Sequence, residues 1–267
     1  MWVWNIFFYL MIIASWNINS IRIRVDQVIN YLKKEKIDIL LLQEIKTEDK
    51  NFPYDEFKKK GYYSYSNGQK SYNGVAIISK KELEIDINNF KDPLKQSRYI
   101  CTEINYKNNN FLLISIYLPN GNPINTEKYD YKKKWMDSFA KLIKGKIKKN
   151  KNIIIAGDFN VIPNENDVDN PDDWLNDALF KLEIRKKFRD LLNLGFKDGL
   201  RLFNQEPKQY TFWDYQQGSW QRNKGLRIDH FLISDNMLGN LKKIEIDKYT
   251  RGNERPSDHA PIKCVLI

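Results

Sequence analysis

Apolar residues in this chain gather in short continuous runs, and each run closes on polar side chains. Residues 12–16, 37–42, 111–117 and 153–156 are such runs, and they read as strands buried on both faces. They end on Asn17-Ile18-Asn19, Gln43-Glu44, Leu118-Pro119-Asn120 and Gly157-Asp158-Phe159-Asn160. Between the runs the period changes. Val25, Val28, Ile29 and Leu32 keep the i, i+3, i+4, i+7 spacing that predicts a helix over 22–35, and Trp135, Phe139, Leu142 and Ile143 predict another over 130–148. Twice, then, the order is strand, polar end, helix, buried strand, carboxylate. Two such halves facing each other bring Glu44 and Asp158 into one cleft.

The remaining elements follow the same logic. Tyr72-Asn73-Gly74 reads as a turn into a strand at 75–79. A strand over 98–105 leads through Asn108-Asn109-Asn110, as a hairpin connection, into the strand at 111. Residues 163–177 are a polar loop, 183–193 a helix ended by Gly195, 210–215 a strand of aromatics, 216–225 a loop, and 226–233 and 262–267 two further strands. Strands outnumber helices and several connections are hairpins. The pattern predicts an α/β four-layer sandwich, two mixed β-sheets packed face to face with helices outside, in a single domain over 11–267. Residues 2–14 are apolar apart from Asn5, but no Lys or Arg precedes them, as a secretory signal would require. The stretch also falls short of the roughly 20 residues of a membrane helix, because its last part is needed as a strand. Residues 1–10 are therefore expected to stand outside the domain, with Met11 a natural opening for the first strand and an alternative start of the protein.

Charge narrows the partners. Against 34 acidic residues stand 44 basic ones, a formal charge of +10, which favours a polyanion. A general bias towards Lys, Asn and Ile would give the same excess. Cys101 and Cys264 sit far apart among apolar neighbours, so they read as small buried hydrophobes in a reducing, cytoplasmic setting, with no case for structural zinc. Lys132-Lys133-Lys134 and the lysines of 141–151 read as the wet face of a helix.

The polar strand ends carry the candidate chemistry. Hydrolysing a phosphodiester needs a cation to neutralise an anionic substrate, a base to orient and deprotonate water, and donors for the phosphoryl oxygens. Glu44 suits a hard, oxygen-ligated Mg²⁺, and Asp158 suits the water. Asn160, Tyr117 and His259 can donate to phosphate. Each has a plainer reading: Glu44 as a solvated residue past a strand, Tyr117 as a sheet aromatic, Asp258 as a turn residue. His259 is the more unusual, in a Ser-Asp-His-Ala-Pro loop where Asp229 or Asp258 could fix its tautomer or raise its pKa. His230, next to Asp229 in a strand, reads as a packed residue. For substrate grip, Asn120, Arg98, Asn176, Trp220, Arg222 and Asn223 lie in loops or strand ends near these blocks.

Seven segments give a more specific signal: residues 13–22 (Ile-Ala-Ser-Trp-Asn-Ile-Asn-Ser-Ile-Arg), Leu42-Gln43-Glu44, Asn73-Gly74-Val75-Ala76, residues 116–121 (Ile-Tyr-Leu-Pro-Asn-Gly), Gly157-Asp158-Phe159-Asn160, Gly225-Leu226-Arg227-Ile228-Asp229 and Ser257-Asp258-His259-Ala260-Pro261. In content and order the chain resembles the exodeoxyribonuclease III family of DNA repair nucleases, from residue 12 to the C-terminus. The resemblance implies a DNase I-like fold and a monomer that requires Mg²⁺, with Mn²⁺ as a substitute. Its substrate would be double-stranded DNA with abasic sites or 3′ ends, with no membrane involved. It implies Glu44 as principal metal ligand, with Asn17, Asn19 and Asp258 on the metal side. Some relatives carry Asp at the Asn19 position, which puts metal affinity in question. It further implies Asp158 orienting water, Asn160 and Tyr117 on the phosphate, Asp229 bonded to His259, and Phe212, Leu226 and Ile228 lining a pocket for an extruded abasic sugar. Some relatives have Trp at the Leu226 position. The competing readings are another phosphoesterase of the same superfamily, whether a non-specific nuclease or one acting on phospholipids or inositol phosphates, and a binding module without activity.

Overall fold

In β1 (Met11–Asn17) the residues Ile13, Ser15 and Asn17 share one face, and this apolar-to-polar progression recurs in its neighbours. The computed structural model describes residues 10–107 and 109–267, and it resolves twelve strands and five α-helices among them. After β1 come α1 (Val25–Lys34), β2 (Ile39–Gln43), α2 (Tyr54–Lys58), β3 (Tyr63–Asn67), β4 (Val75–Ser79), β5 (Ile85–Asp86), β6 (Tyr99–Tyr106) and β7 (Asn109–Tyr117). Then follow α3 (Glu127–Ile147), β8 (Ile153–Asp158), α4 (Leu182–Leu192), β9 (Phe196–Asp198), α5 (Gly199–Phe203), β10 (Asp229–Ser234), β11 (Leu241–Ile246) and β12 (Ile262–Leu266). They form two six-stranded mixed sheets, ordered β11-β12-β1-β2-β4-β3 and β5-β6-β7-β8-β10-β9.

Period-two alternation gives each sheet two buried faces. Ile13, Ile39, Leu41, Val75 and Ile77 of the first sheet meet Ile100, Leu113, Ile154, Ala156, Phe231 and Ile233 of the second. The outer face of the first sheet packs Trp16, Leu40, Leu42 and Ile78 under Val28, Ile29 and Leu32 of α1 and Phe57 of α2. The outer face of the second sheet packs Ile114, Ile153 and Ile155 under Trp135, Phe139 and Ile143 of α3 and Ile184 and Phe188 of α4. This is the expected four-layer sandwich. Each aliphatic side chain fully buried between layers contributes about 1.5–3 kcal/mol, so the inter-sheet face tolerates polar residues only where they are paired. At one end they are: Gln43 Nε2 donates to Ser15 Oγ and to Ser115 Oγ, each at 3.1 Å, linking both sheets through buried groups. Among the described residues no helix is long and apolar enough to cross a membrane.

Several expectations need correction. Residues 210–215 form no strand. Phe212 makes isolated bridges to Leu226 and His259, and Thr211 Oγ1 accepts from the amides of Ile228 and Asp229 at 3.1 Å, so the segment crosses the mouth of β10 instead of joining a sheet. The strand expected from 226 enters the sheet only at Asp229. Asn109 and Asn110 belong to β7, paired with Tyr106 and Asn105, while Asn108 lies outside the described residues. The expected extension at 1–10 falls, save for Leu10, outside the described residues as well.

Candidate active site

The polar ends of the strands meet at one mouth of the inter-sheet core. In the second sheet, β7 and β8 pair in parallel with Tyr117 opposite Asp158, and β8 and β10 pair antiparallel with Asp158 opposite Asp229. Three of the side chains expected at the site therefore stand in one row across neighbouring strands. In the first sheet, parallel pairing sets Asn17 of β1 opposite Gln43 of β2. The ladder continues past the strand ends, with Ile18 N donating to Gln43 O at 3.0 Å and Ser20 N to Glu44 O at 2.7 Å. Glu44, Asn19 and Asn160 all take positive φ, between 47° and 49°. That conformation is easier for Asn than for Glu, so the Glu44 backbone is held against its preference by its surroundings.

Asn17 is the bridge between sheets. Its Nδ2 donates to Glu44 Oε1 and to Asp158 Oδ2, each at 2.9 Å. Asp158 Oδ1 accepts from the Asn160 amide at 2.8 Å, and the Asn160 side chain donates to Leu118 O at 2.9 Å and accepts from Asn120 Nδ2 at 3.2 Å. Arg98, itself buried, stacks 4.5 Å over the Tyr117 ring and donates to Tyr117 O at 3.1 Å. The C-terminal loop closes over this floor. Ser257 Oγ donates to Asn17 O at 2.6 Å, Trp16 Nε1 donates to His259 O at 3.1 Å, and Asn19 Nδ2 donates to Asp258 Oδ1 at 2.9 Å.

The electrostatics follow from burial and partners. Burial alone would lower the His259 pKa, but Asp229, 2.8 Å from Nδ1, outweighs it, so the imidazole is held protonated well above its ordinary range. With Nδ1–H given to Asp229, Nε2 faces Asp158 Oδ2 at 3.9 Å. Burial and the adjacent Asp229 charge push Asp158 up, against the pull of His259 and Asn17. Burial would also lift Glu44, but Lys46 at 2.8 Å and the Asn17 amide hold it below the usual carboxylate range. Lys46 Nζ also reaches Asn19 Oδ1 at 2.5 Å. Asp229 Oδ1 is buried with no hydrogen-bond partner among the described residues.

A family model described as endonuclease/exonuclease/phosphatase matches residues 14–259, from the middle of β1 to the histidine at the site. The chain belongs to this family. Among its relatives, exodeoxyribonuclease III of Haemophilus influenzae is 31% identical over 93% of this chain and 97% of its own length. Two solved members of similar architecture each have a TM-score of 0.90 and 34% identity, covering 96% of this chain and 99% of theirs. One is an AP endonuclease from Archaeoglobus fulgidus, the other a 3′ phosphatase from Neisseria bound to product DNA hairpin.

Within this family member, Glu44, Asn17, Asn19, Tyr117, Asn120, Asp158, Asn160, Asp229, Asp258 and His259 are joined through the hydrogen bonds and strand register above. Among the described residues, Asp158, Asp229 and His259 form a set that could hold a metal ion, with one ligand atom of each within 4.8 Å of the others. The rim residues divide. Leu226 and Ile228 are almost wholly buried with Ile162, Val168, Leu179 and Phe180, so they form the floor of an apolar cluster whose partly open members are Phe212 and Trp174. Trp220 packs edge-on against Trp213, and Asn223 accepts from Trp213 Nε1 at 3.2 Å. Asn176 is exposed and accepts from Lys181 at 3.0 Å, while exposed Arg222 donates to Gln217 O. None of these four hydrogen-bonds to the groups at the mouth among the described residues. Lys132 overturns the wet-face reading: it is fully buried, and its Nζ donates to Asn160 O at 2.6 Å and Asn120 O at 2.8 Å. Lys46 was missed too, although its place two residues after Glu44, just past β2, was a usable signal.

Proposed function

We propose that the protein is a Mg²⁺-dependent phosphodiesterase of DNA repair that cleaves double-stranded DNA 5′ to abasic sites and removes nucleotides or blocking groups from 3′ ends. One observation carries the reading: Asn17 joins Glu44 to Asp158 while Asp158 faces a His259 held protonated by Asp229. The names of the relatives support DNA as the substrate class, and the abasic preference is inferred from the apolar cluster beside His259, since Phe212 lies 5.0 Å from its ring. Monomeric action in a cytoplasm belongs to the same reading.

Glu44, with Asn19 and Asp258 near it, fits a hard divalent cation. Every donor is an oxygen, and Lys46 already places a positive charge on Glu44 Oε2 and Asn19 Oδ1. A bound Mg²⁺ would neutralise phosphate charge and stabilise the departing oxygen. The chain's own groups do the rest. Asp158, fixed by Asn17 and the Asn160 amide, aligns a water and accepts its proton. Protonated His259 donates through Nε2 to a phosphoryl oxygen, with Asp229 setting its tautomer and orientation. Tyr117, whose hydroxyl is kept protonated by burial and by the Glu44 charge, offers a further donor. Extruding a nucleotide costs a few kcal/mol, and least where no base is stacked, which gives abasic selectivity a physical basis.

The test is the product pattern from an abasic duplex, a 3′-phosphate end and a blunt duplex, each with Mg²⁺ and with EDTA. Mg²⁺-dependent incision or end removal is expected. Cleavage of a phospholipid head group or an inositol phosphate, with all three DNAs left intact, would refute the reading.

A further inference from the structure

We infer that Lys132 is a positioning residue for this reaction, aiming Asn160 and Asn120 at the substrate through their main-chain carbonyls; this rests on the hydrolytic reading above. Lys132 lies on the buried stripe of α3 with Tyr129, Trp135, Met136 and Phe139, where an apolar side chain would be expected. Its neighbour Lys133 behaves as a surface lysine should, pairing with Asp130 at 3.0 Å. Lys132 instead carries its ammonium into the protein, and the two oxygens it holds come from two different loops that follow β7 and β8.

The surroundings are shaped for that side chain. Gly121, at φ +89°, lies against its stem: a Cβ there would stand 2.5 Å from Lys132 Cδ and 3.1 Å from its Cβ. The loop beyond is tied down by Asn122, which donates to Asp177 Oδ2 at 2.9 Å and accepts from Ala178 N at 2.9 Å. Asn160 is thereby constrained at each polar group: its amide on Asp158, its side chain between Leu118 O and Asn120, and its carbonyl on Lys132. Of these partners, the ammonium alone touches both the Asn120 and Asn160 main chains, so it sets one loop against the other. Burying an amine here is costly enough that desolvation pulls the Lys132 pKa down to about 7 against Asp177 and Asp158, and a Met of similar length would fill the same space without that cost. The position therefore calls for the two donors it provides, directly behind the residue that fixes Asp158.

Lys132→Met keeps the stem and removes the donors. For incision of an abasic duplex we expect kcat to fall about 10–100-fold with KM within about threefold, as for loss of alignment in the transition state. In an Asn160→Ala background the same change should cost less than in the wild type, because the Asn160 side chain is no longer there to aim and only Asn120 and the residue-160 amide remain to be positioned. An unchanged kcat, a rise in KM alone, or an equal loss in both backgrounds would overturn the proposal. If Lys132→Met does not fold by circular dichroism, Lys132→Gln, which can reach one carbonyl, should give an intermediate kcat at unshifted KM, and wild-type kcat there would overturn it. Wild-type protein that leaves every DNA intact overturns the functional reading and this one with it, whereas active wild type with an undiminished variant overturns this one alone.

Discussion

Asp158 and Asp229 are direct partners across the antiparallel β8–β10 ladder, so strand register alone sets two carboxylates side by side in a buried place. Such a pair is tolerable only with positive charge and donors around it. His259 and Asn17 supply them, and they come from the far ends of the chain.

Replacing either sheet's carboxylate should abolish chemistry and spare the fold. Asp158→Asn and Glu44→Ala are each expected to lower abasic-site incision by about 10³-fold or more, with circular dichroism unchanged. Incision near the wild-type rate in either variant would contradict the assigned roles.

The two histidines should titrate far apart. Burial, with Arg227 adjacent, drives His230 down to about 4, while Asp229 overcomes burial to raise His259 to about 10. His259 therefore contributes stability that is full below pH 6.5 and lost as pH rises through 10. Buried neutral His230 costs stability, up to about 3 kcal/mol, as pH falls from 6.5 through 4. In ¹H NMR of the metal-free protein, neither ring resonance should show a midpoint near 6.5. One that does refutes the corresponding environment.

Arg227 holds a charged knot under the apolar cluster. It is fully buried, paired through Nε and Nη2 with Asp167 at 2.6 and 2.9 Å, through Nη1 with Asp198 at 2.8 Å, and it donates to His230 Nδ1 at 2.9 Å. Arg227→Leu removes the Asp198 ion pair and leaves buried Asp167 with Arg201 alone, and should destabilise by about 3–5 kcal/mol in urea unfolding. Loss below about 1 kcal/mol would mean the acids find other partners.

Duplex binding should be strongly salt-dependent. If about three phosphates are neutralised, affinity measured without Mg²⁺ falls roughly 30-fold or more between 50 and 200 mM salt. A flat response would argue against backbone contacts by this +10 chain.

How much of this was legible in the sequence divides along the sheets. Of the nine strands anticipated, 210–215 did not form and the other eight are all interior, where apolar runs mark burial on both faces. The four that were not anticipated, β3, β5, β9 and β11, are the four edges. Edges are short or carry charge, as in Tyr-Ser-Tyr-Ser-Asn of β3 and Leu-Lys-Lys-Ile-Glu-Ile of β11, so they lack the buried signature. Asn17, Glu44, Tyr117, Asp158 and Asn160 were readable because each ends or follows a buried strand, whereas Asp229 opens β10 and Asp258 and His259 precede β12. The rim was not readable, since loops such as 210–225 obey no period. Lys132 stayed hidden because a lysine on a helix reads as solvated, and only the loops folded over it say otherwise.

Ser257 and Trp16 tie the last loop to the first strand, and β12 lies inside its sheet between β11 and β1. A chain still emerging from the ribosome thus lacks His259 in place until the loop at 257–261 and β12 are free to insert. Under the proposed mechanism a copy without this segment would have no cutting power, although Glu44 and Asp158 were in place.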